Sequence, residues 1–138
     1  MLIVQNSYYV SSQILSLSVP AGYPRNFSAI VNSPRSVSLK WNPVLPEERN
    51  GIITGYIINI TAVERGEAMQ LQSQSINITV DVYPYTSYTF IIAATTSVGS
   101  GPYSTVITVR TPPEGRSQNE ALLHMNGIWV LITTFIVI

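Results

Sequence analysis

The sequence predicts an all-β protein, a two-sheet antiparallel β-sandwich of about seven strands, and three observations support that fold class. Val, Ile and Thr make up about a third of the 138 residues, and β-branched side chains favour strands. Apolar residues recur at every second position through the middle of the chain, as they do in strands with one buried face. Gly, Pro and Asn separate these short runs in the manner of turns.

Six strands follow from the parity of the apolar residues, in chain order. The predicted inward-facing sets are Phe27, Ala29, Val31; Val37, Leu39, Trp41; Tyr56, Ile58, Ile60; Ile76, Ile78, Val80; Tyr88, Phe90, Ile92, Ala94; and Ile107, Val109. A weaker strand is predicted near residues 69–72. Short strands with frequent turns are typical of a sandwich. We expect Trp41, Tyr56 and Tyr88 to lie in its structural core.

Composition restricts the classes of function. Seven Lys+Arg balance seven Asp+Glu, so the formal net charge is zero, and no basic surplus is available to neutralise nucleic-acid phosphates. The chain has no cysteine and a single histidine, His124, which argues against disulfide scaffolds, zinc ribbons and thiol catalysis. No two carboxylates share a strand face at a spacing suited to acid–base chemistry. We therefore expect a non-catalytic protein with no catalytic residues, cofactor, metal or nucleic-acid partner.

Short motifs in a fixed order carry a resemblance to a known family. They are Tyr23 to Phe27, Ser36 to Trp41, Asn50 to Tyr56, Val82 to Tyr88, Val98 to Ser104 and Val109 to Pro112. Through them, residues 23–113 resemble a fibronectin type III domain, an immunoglobulin-like sandwich, with Val82 where the family usually has leucine. The resemblance implies that Trp41 lies between the sheets. It also implies that Tyr88 forms a tyrosine corner, in which the hydroxyl bonds to nearby backbone.

The remaining segments are predicted to lie outside this domain. Residues 1–22 are interpreted as a linker or the tail of a preceding segment, since they lack the basic and apolar regions of a signal peptide. Residues 114–126 are interpreted as a polar spacer and residues 127–138 as an apolar tail. Three interpretations of the tail stay open: the start of a transmembrane helix, a lipid-anchor signal, or a stray strand or artefact of the chain end. Membrane association is the one we favour.

Three Asn-x-Ser/Thr sequons are candidate N-glycosylation sites, at Asn26, Asn59 and Asn77. In each sequon the middle residue belongs to a predicted inward-facing set. The asparagine is therefore expected to face outward, where a glycan can be accommodated.

Two predicted loops are candidate partner-binding surfaces, because loops at the ends of a sandwich commonly carry recognition. The longest runs from Pro43 to Ile53, and the other spans Val98 to Tyr103 at the same end. The candidate contact residues in these loops are Leu45, Glu47, Glu48, Arg49 and Tyr103.

The resemblance implies an extracellular interaction or spacer module of a cell-surface adhesion or receptor protein. Its expected partner is another protein, beside neighbouring fibronectin type III or immunoglobulin-like domains, on the extracellular side of the cell membrane. The alternative is an intracellular structural repeat of a scaffold protein, which has the same fold but no need of sequons.

Overall fold

The computed structural model describes residues 18–115, with side chains, and the backbone of two further strands at 120–125 and 128–133. The strands are β1 Arg25–Ser33, β2 Ser36–Asn42, β3 Gly55–Ala62, β4 Glu67–Ser73, β5 Asn77–Asp81, β6 Ser87–Thr95, β7 Ile107–Arg110, β8 Glu120–Met125 and β9 Ile128–Thr133. A short 3-10 turn, Pro46–Glu48, interrupts the loop between β2 and β3.

The first seven strands form two antiparallel sheets, so the predicted sandwich is confirmed. One sheet has the order β1-β2-β5 and the other β4-β3-β6-β7. In the three-stranded sheet, Lys40 of β2 pairs with Ser28 of β1 on one side and Asn77 of β5 on the other. In the four-stranded sheet, β3 is paired along its whole length with both β4 and β6. β1 and β5 are thus the edges of one sheet, while β3 is an interior strand of the other.

The core lies between the sheets and is built from the alternating residues that the sequence predicts. Trp41, Phe90, Leu39, Ile58 and Ile92 are fully buried. The rings of Phe27 and Tyr56 meet the indole of Trp41 edge-on, with centroids 6.1 and 5.3 Å away, a geometry that aromatic pairs prefer. Phe27, Ala29 and Val31 of the edge strand β1 are only partly buried but pack against this core.

The prediction for Ile76 is wrong. Its side chain is 41% exposed, and β5 begins one residue later, at Asn77. Ile76 contributes its backbone instead, because its carbonyl oxygen accepts a hydrogen bond from the Trp41 N–H at 3.0 Å. The inward-facing parity of β5 therefore begins with Ile78.

Residues 18–22, called the N-terminal arm below, pack on the domain, although residues 1–22 were predicted as a linker. Pro20 is fully buried. The carbonyl oxygen of Ser18 accepts a bond from Thr96 Oγ1 at 2.8 Å, and the Ala21 N–H donates to the Glu48 carbonyl at 2.8 Å. These contacts place the arm against the loops after β2 and β6. The rest of the predicted linker lies outside the described residues.

The C-terminal segment contains a hairpin, since β8 and β9 pair antiparallel in a two-stranded sheet of their own. The first of these strands falls in the predicted polar spacer, and the second falls in the predicted apolar tail. Asn126-Gly127 separates them in the sequence, a dipeptide typical of hairpins that the hydropathy of the tail obscured. Within the described segments, no helix has the length and hydropathy to cross a membrane. Membrane association of the tail stays a prediction.

Candidate functional site

Two loops meet at one end of the sandwich: residues 43–54 between β2 and β3, and residues 96–106 between β6 and β7. We call this the loop end. The loops lie side by side because β3 begins where β6 ends, with Gly55 opposite Thr95. The Thr54 N–H extends this pairing by donating to the Thr95 carbonyl at 2.8 Å. The candidate loops therefore share one end of the molecule, as the sequence predicts.

The loop end exposes apolar and aromatic side chains. Ile52 is 80% exposed and Val98 is 51% exposed, while Leu45 and Tyr103 are 41% and 39% exposed. Of these four, the sequence analysis selected Leu45 and Tyr103 and missed the other two. Ile52 was missed because Ile in a β-rich sequence is expected in a strand, and it comes only three residues before β3.

The charged candidates of the first loop differ in what they contact. Glu47 is exposed. Glu48 is held within the domain, because Arg25 Nη2 donates to its two carboxylate oxygens at 2.8 and 2.9 Å. Arg49 is also engaged, since its Nε donates to the Val44 carbonyl at 2.8 Å, and the Val44 side chain is fully buried. Glu48 and Arg49 therefore fix the loop's conformation, and Leu45 and Glu47 are the residues it presents to solvent.

The N-terminal arm fills the space between the two loops. Asn50 Nδ2 donates to the Val19 carbonyl at 3.2 Å, which joins the arm to the first loop. On the side of the second loop, a Cβ at Gly101 would lie 2.6 Å from the Pro20 carbonyl oxygen, so only glycine permits this approach of two backbones. The arm therefore holds both loops in one arrangement.

A cleft of about 580 Å³ lies beside the loop end. It is lined by the start of β3, by residues 72–74 at the end of β4, and by residues 95–100 of the second loop. Its lining combines Thr, Ser and Gln side chains with the exposed Val98. The loop end thus offers a polar recess next to an apolar rim.

The opposite end of the sandwich carries the tyrosine corner. Tyr88 is 4% exposed, and its hydroxyl oxygen accepts a bond from the Tyr83 N–H at 2.7 Å. Thr111, after β7, holds the same turn from the other side. Its Oγ1 donates to the Tyr83 carbonyl at 2.7 Å and accepts from the Thr86 N–H at 3.0 Å. Sequence reasoning missed Thr111, because a threonine near the end of a domain carries no pattern of its own.

Ion pairs join the loops around this corner. Glu64 accepts bonds from the Ser87 N–H and the Ser87 hydroxyl, both at 2.8 Å, and also from Arg110. The two bonds from Ser87 are the main reason why the pKa of Glu64 is lowered to about 2, and Arg110 adds to the effect. Arg35 binds Glu114 through two bonds of 2.8 and 2.7 Å, which lowers the pKa of Glu114.

The three sequon asparagines lie on different strands. Asn26 is exposed on β1, at a positive φ of 51°, beside a register shift between Arg25 and Ser28. Asn77 is exposed at the first residue of β5. Asn59 is half-buried in the middle of β3, and its Oδ1 accepts a bond from Gln70 Nε2 at 2.9 Å.

Within the described residues, no group of three or more His, Asp or Glu side chains is placed to hold a metal ion. The features of the domain are those of a non-enzymatic β-sandwich: two sheets, a single core, and one end with exposed apolar loops.

The chain belongs to the fibronectin type III family. The sequence model of that family, described as "Fibronectin type III domain", matches residues 22–110. Among curated proteins, the chain is similar to the protein sidekick homolog of Caenorhabditis elegans, with 33% identity covering 70% of this chain. It is also similar to receptor-type tyrosine-protein phosphatase F of Mus musculus, with 37% identity over 69% of this chain. The matched region is 5% of each relative's length.

Solved structures agree with the fold. The FN5 domain of Drosophila Lar is 28% identical with a TM-score of 0.56, and the match covers 70% of this chain and all of that domain. Domains A168–A170 of titin are 26% identical with a TM-score of 0.60, covering 69% of this chain and 33% of that one. The fold is typically a non-catalytic module, and the chain is homologous to such modules of adhesion and receptor proteins.

Proposed function

We propose that this chain is a non-catalytic extracellular module of a cell-surface adhesion or receptor protein, and that it binds another protein through its loop end. The observation that carries the binding surface is the exposure of Ile52, Val98, Leu45 and Tyr103 on two loops at one end. Apolar side chains that solvent would otherwise contact are stabilised when a partner covers them. Tyrosine adds a large contact area at little cost in conformational entropy.

The loop end is suited to binding because it is held in place before a partner arrives. Pro20 of the arm, the Arg25–Glu48 ion pair and the bond from Arg49 each fix one part of the loops. Loops that are already ordered lose less conformational entropy when they bind. We infer that the partner presents a weakly charged, apolar surface, since Glu47 is the exposed charge of the first loop.

A cell-binding experiment tests the surface. The full chain is secreted as a dimeric Fc fusion and its binding to intact cells is measured by flow cytometry, before and after protease treatment of those cells. We expect the Ile52→Ser/Val98→Ser variant to lose protease-sensitive binding. Val63→Ser is the matched control, because Val63 is 52% exposed but lies in the turn between β3 and β4. Equal binding of the two variants would show that the loop end is not the interface.

The extracellular location is tested separately. It is supported by the similarity to cell-surface proteins such as the receptor phosphatase. An epitope tag inserted after Gly115, where a Cβ would meet no atom within 4 Å, should be stained on intact cells that express the complete natural gene product. Staining only after permeabilisation would contradict this location. It would favour the second candidate function, an intracellular structural repeat, which the similarity to titin domains supports.

Neighbouring fibronectin type III or immunoglobulin-like domains in the complete protein remain part of the proposal. They are supported by the chain covering 5% of each long relative.

A further inference from the structure

The three sequons differ in the kind of strand that carries them. Asn26 lies on β1 and Asn77 on β5, and these strands are the two edges of the three-stranded sheet. Asn59 lies on β3, an interior strand of the other sheet that is paired on both sides. Sequence alone treats the three asparagines alike, and only the strand order separates them.

The two edge-strand sequons share one face. The residues that follow the asparagines, Phe27 and Ile78, pack against the core, so Asn26 and Asn77 fall on the outward-facing parity, and both are exposed. Ser28, which completes the first sequon, lies opposite Lys40, and Lys40 lies opposite Asn77. The two sequons are therefore about two strand spacings apart, roughly 10 Å across the sheet. That separation leaves room for a glycan on each.

This outer face is polar but carries few charges. Asn32 Nδ2 donates to Ser38 Oγ at 2.6 Å, and Ser38 Oγ lies 3.2 Å from Thr79 Oγ1. Ile30, on the same parity, is 63% exposed. Charged residues make up 10% of the whole chain, with no net charge, against about 25% in an average soluble domain. A protein without net charge is prone to self-association, so this face needs hydration from another source.

The surroundings of Asn59 differ. Its amide oxygen is already bonded to Gln70, its side chain is half-buried, and strands flank it on both sides. A sugar attached there has only the direction perpendicular to the sheet available. The sugars at an edge strand can also turn outward past the last strand.

We propose that N-linked glycans at Asn26 and Asn77, and not at Asn59, cover the outer face of the three-stranded sheet and protect its two edges. Exposed edges can pair with strands of other molecules, and bulky polar groups on them prevent such pairing. The proposal rests on the extracellular location proposed above. It leaves the loop end uncovered for a protein partner.

The test forces the full chain into the secretory pathway of cultured cells with a cleavable signal sequence, so glycan acceptance is measured whatever the natural location. Mobility before and after glycosidase treatment is compared in lysate and medium for Asn26→Gln, Asn77→Gln, Asn59→Gln and the Asn26→Gln/Asn77→Gln double variant. Ser28→Ala and Thr79→Ala are matched controls that keep each asparagine and destroy its sequon.

We expect wild type to lose two mobility steps on treatment, and each edge-strand variant and its matched control to lack one of them. Asn59→Gln should migrate as wild type, and the double variant should show no glycosidase-sensitive shift. Light scattering should also show more self-association for the double variant. A residual shift in the double variant, a step lost by Asn59→Gln, or no shift in wild type overturns the proposal. Failure of the surface staining alone would contradict the location and leave this geometry intact.

Discussion

Replacing Thr111 by valine tests how the end of the domain is held. Thr111 is 1% exposed, and valine keeps its shape and its backbone bond from N–H to the Thr86 carbonyl. The change removes the donation from Oγ1 to the Tyr83 carbonyl and the acceptance from the Thr86 N–H. Both bonds tie the strand after β7 to the turn before β6.

The expected loss follows from these two bonds. The bond to the Tyr83 carbonyl contributes about 1 kcal/mol net. The Thr86 N–H belongs to a residue 6% exposed, and leaving a buried donor without an acceptor costs about 1–3 kcal/mol. We therefore expect a loss of about 2–4 kcal/mol from an unfolding free energy that is typically about 5–15 kcal/mol.

Urea unfolding followed by tryptophan fluorescence measures this loss. With a slope of about 2 kcal/mol per molar, the midpoint should fall by about 1–2 M while the slope stays constant. Thr111→Ser is the control, since it keeps the hydroxyl and loses one methyl group, at a cost of about 1 kcal/mol. The reasoning is refuted if Thr111→Val unfolds at the wild-type midpoint, or if Thr111→Ser loses as much as Thr111→Val.

Three further predictions concern the core, the arm and the ion pairs. Trp41→Ala should lower the free energy of unfolding by about 3–5 kcal/mol, because it leaves a cavity at a fully buried site; a loss below about 1 kcal/mol in urea titration would contradict this. Gly101→Ala brings a Cβ within 2.6 Å of the Pro20 carbonyl, so it should displace the arm and speed hydrogen exchange of the arm's bonded amide, whereas unchanged exchange would show that the arm is not held there. The pKa of Glu64 is about 2, below its ordinary 4.5, so its ionised form stabilises the fold above pH 4.5 and this contribution is lost as the pH falls from 4.5 to 2. Wild type should therefore lose more stability than Glu64→Gln over that range, and parallel urea midpoints would argue against it.

Strand alternation made most of the fold predictable, because the core-facing residues of a strand are fixed by local parity. Val37, Leu39 and Trp41 needed no knowledge of their neighbours. Ile76 was misassigned because parity continues through a turn when the residue before a strand is also apolar. The hairpin of β8 and β9 was misread for a related reason. A continuous apolar run hides alternation, and the Asn126-Gly127 signal inside it was given less weight than hydropathy.

The candidate site was less predictable, because its order depends on contacts between residues far apart in sequence. Glu48 was predicted to face a partner, but it binds Arg25, 23 positions earlier. Pro20 was assigned to a linker, and its burial depends on Gly101 in a loop that follows β6. Neither contact has a local signature, so a sequence reader sees two solvated loops where the structure has one braced end.

The arm also determines how the domain responds to force. Tension applied ahead of Ser18 acts first on the bonds that Thr96 and Asn50 make to the arm, before it reaches any strand pairing. Releasing the five residues of the arm (18–22) adds about 17 Å of chain at roughly 3.4 Å per residue. In single-molecule pulling this release should appear as a short extension step before the sandwich unfolds. Because the arm lies between the two loops, a pulled chain would present an altered loop end to its partner while both sheets stay folded.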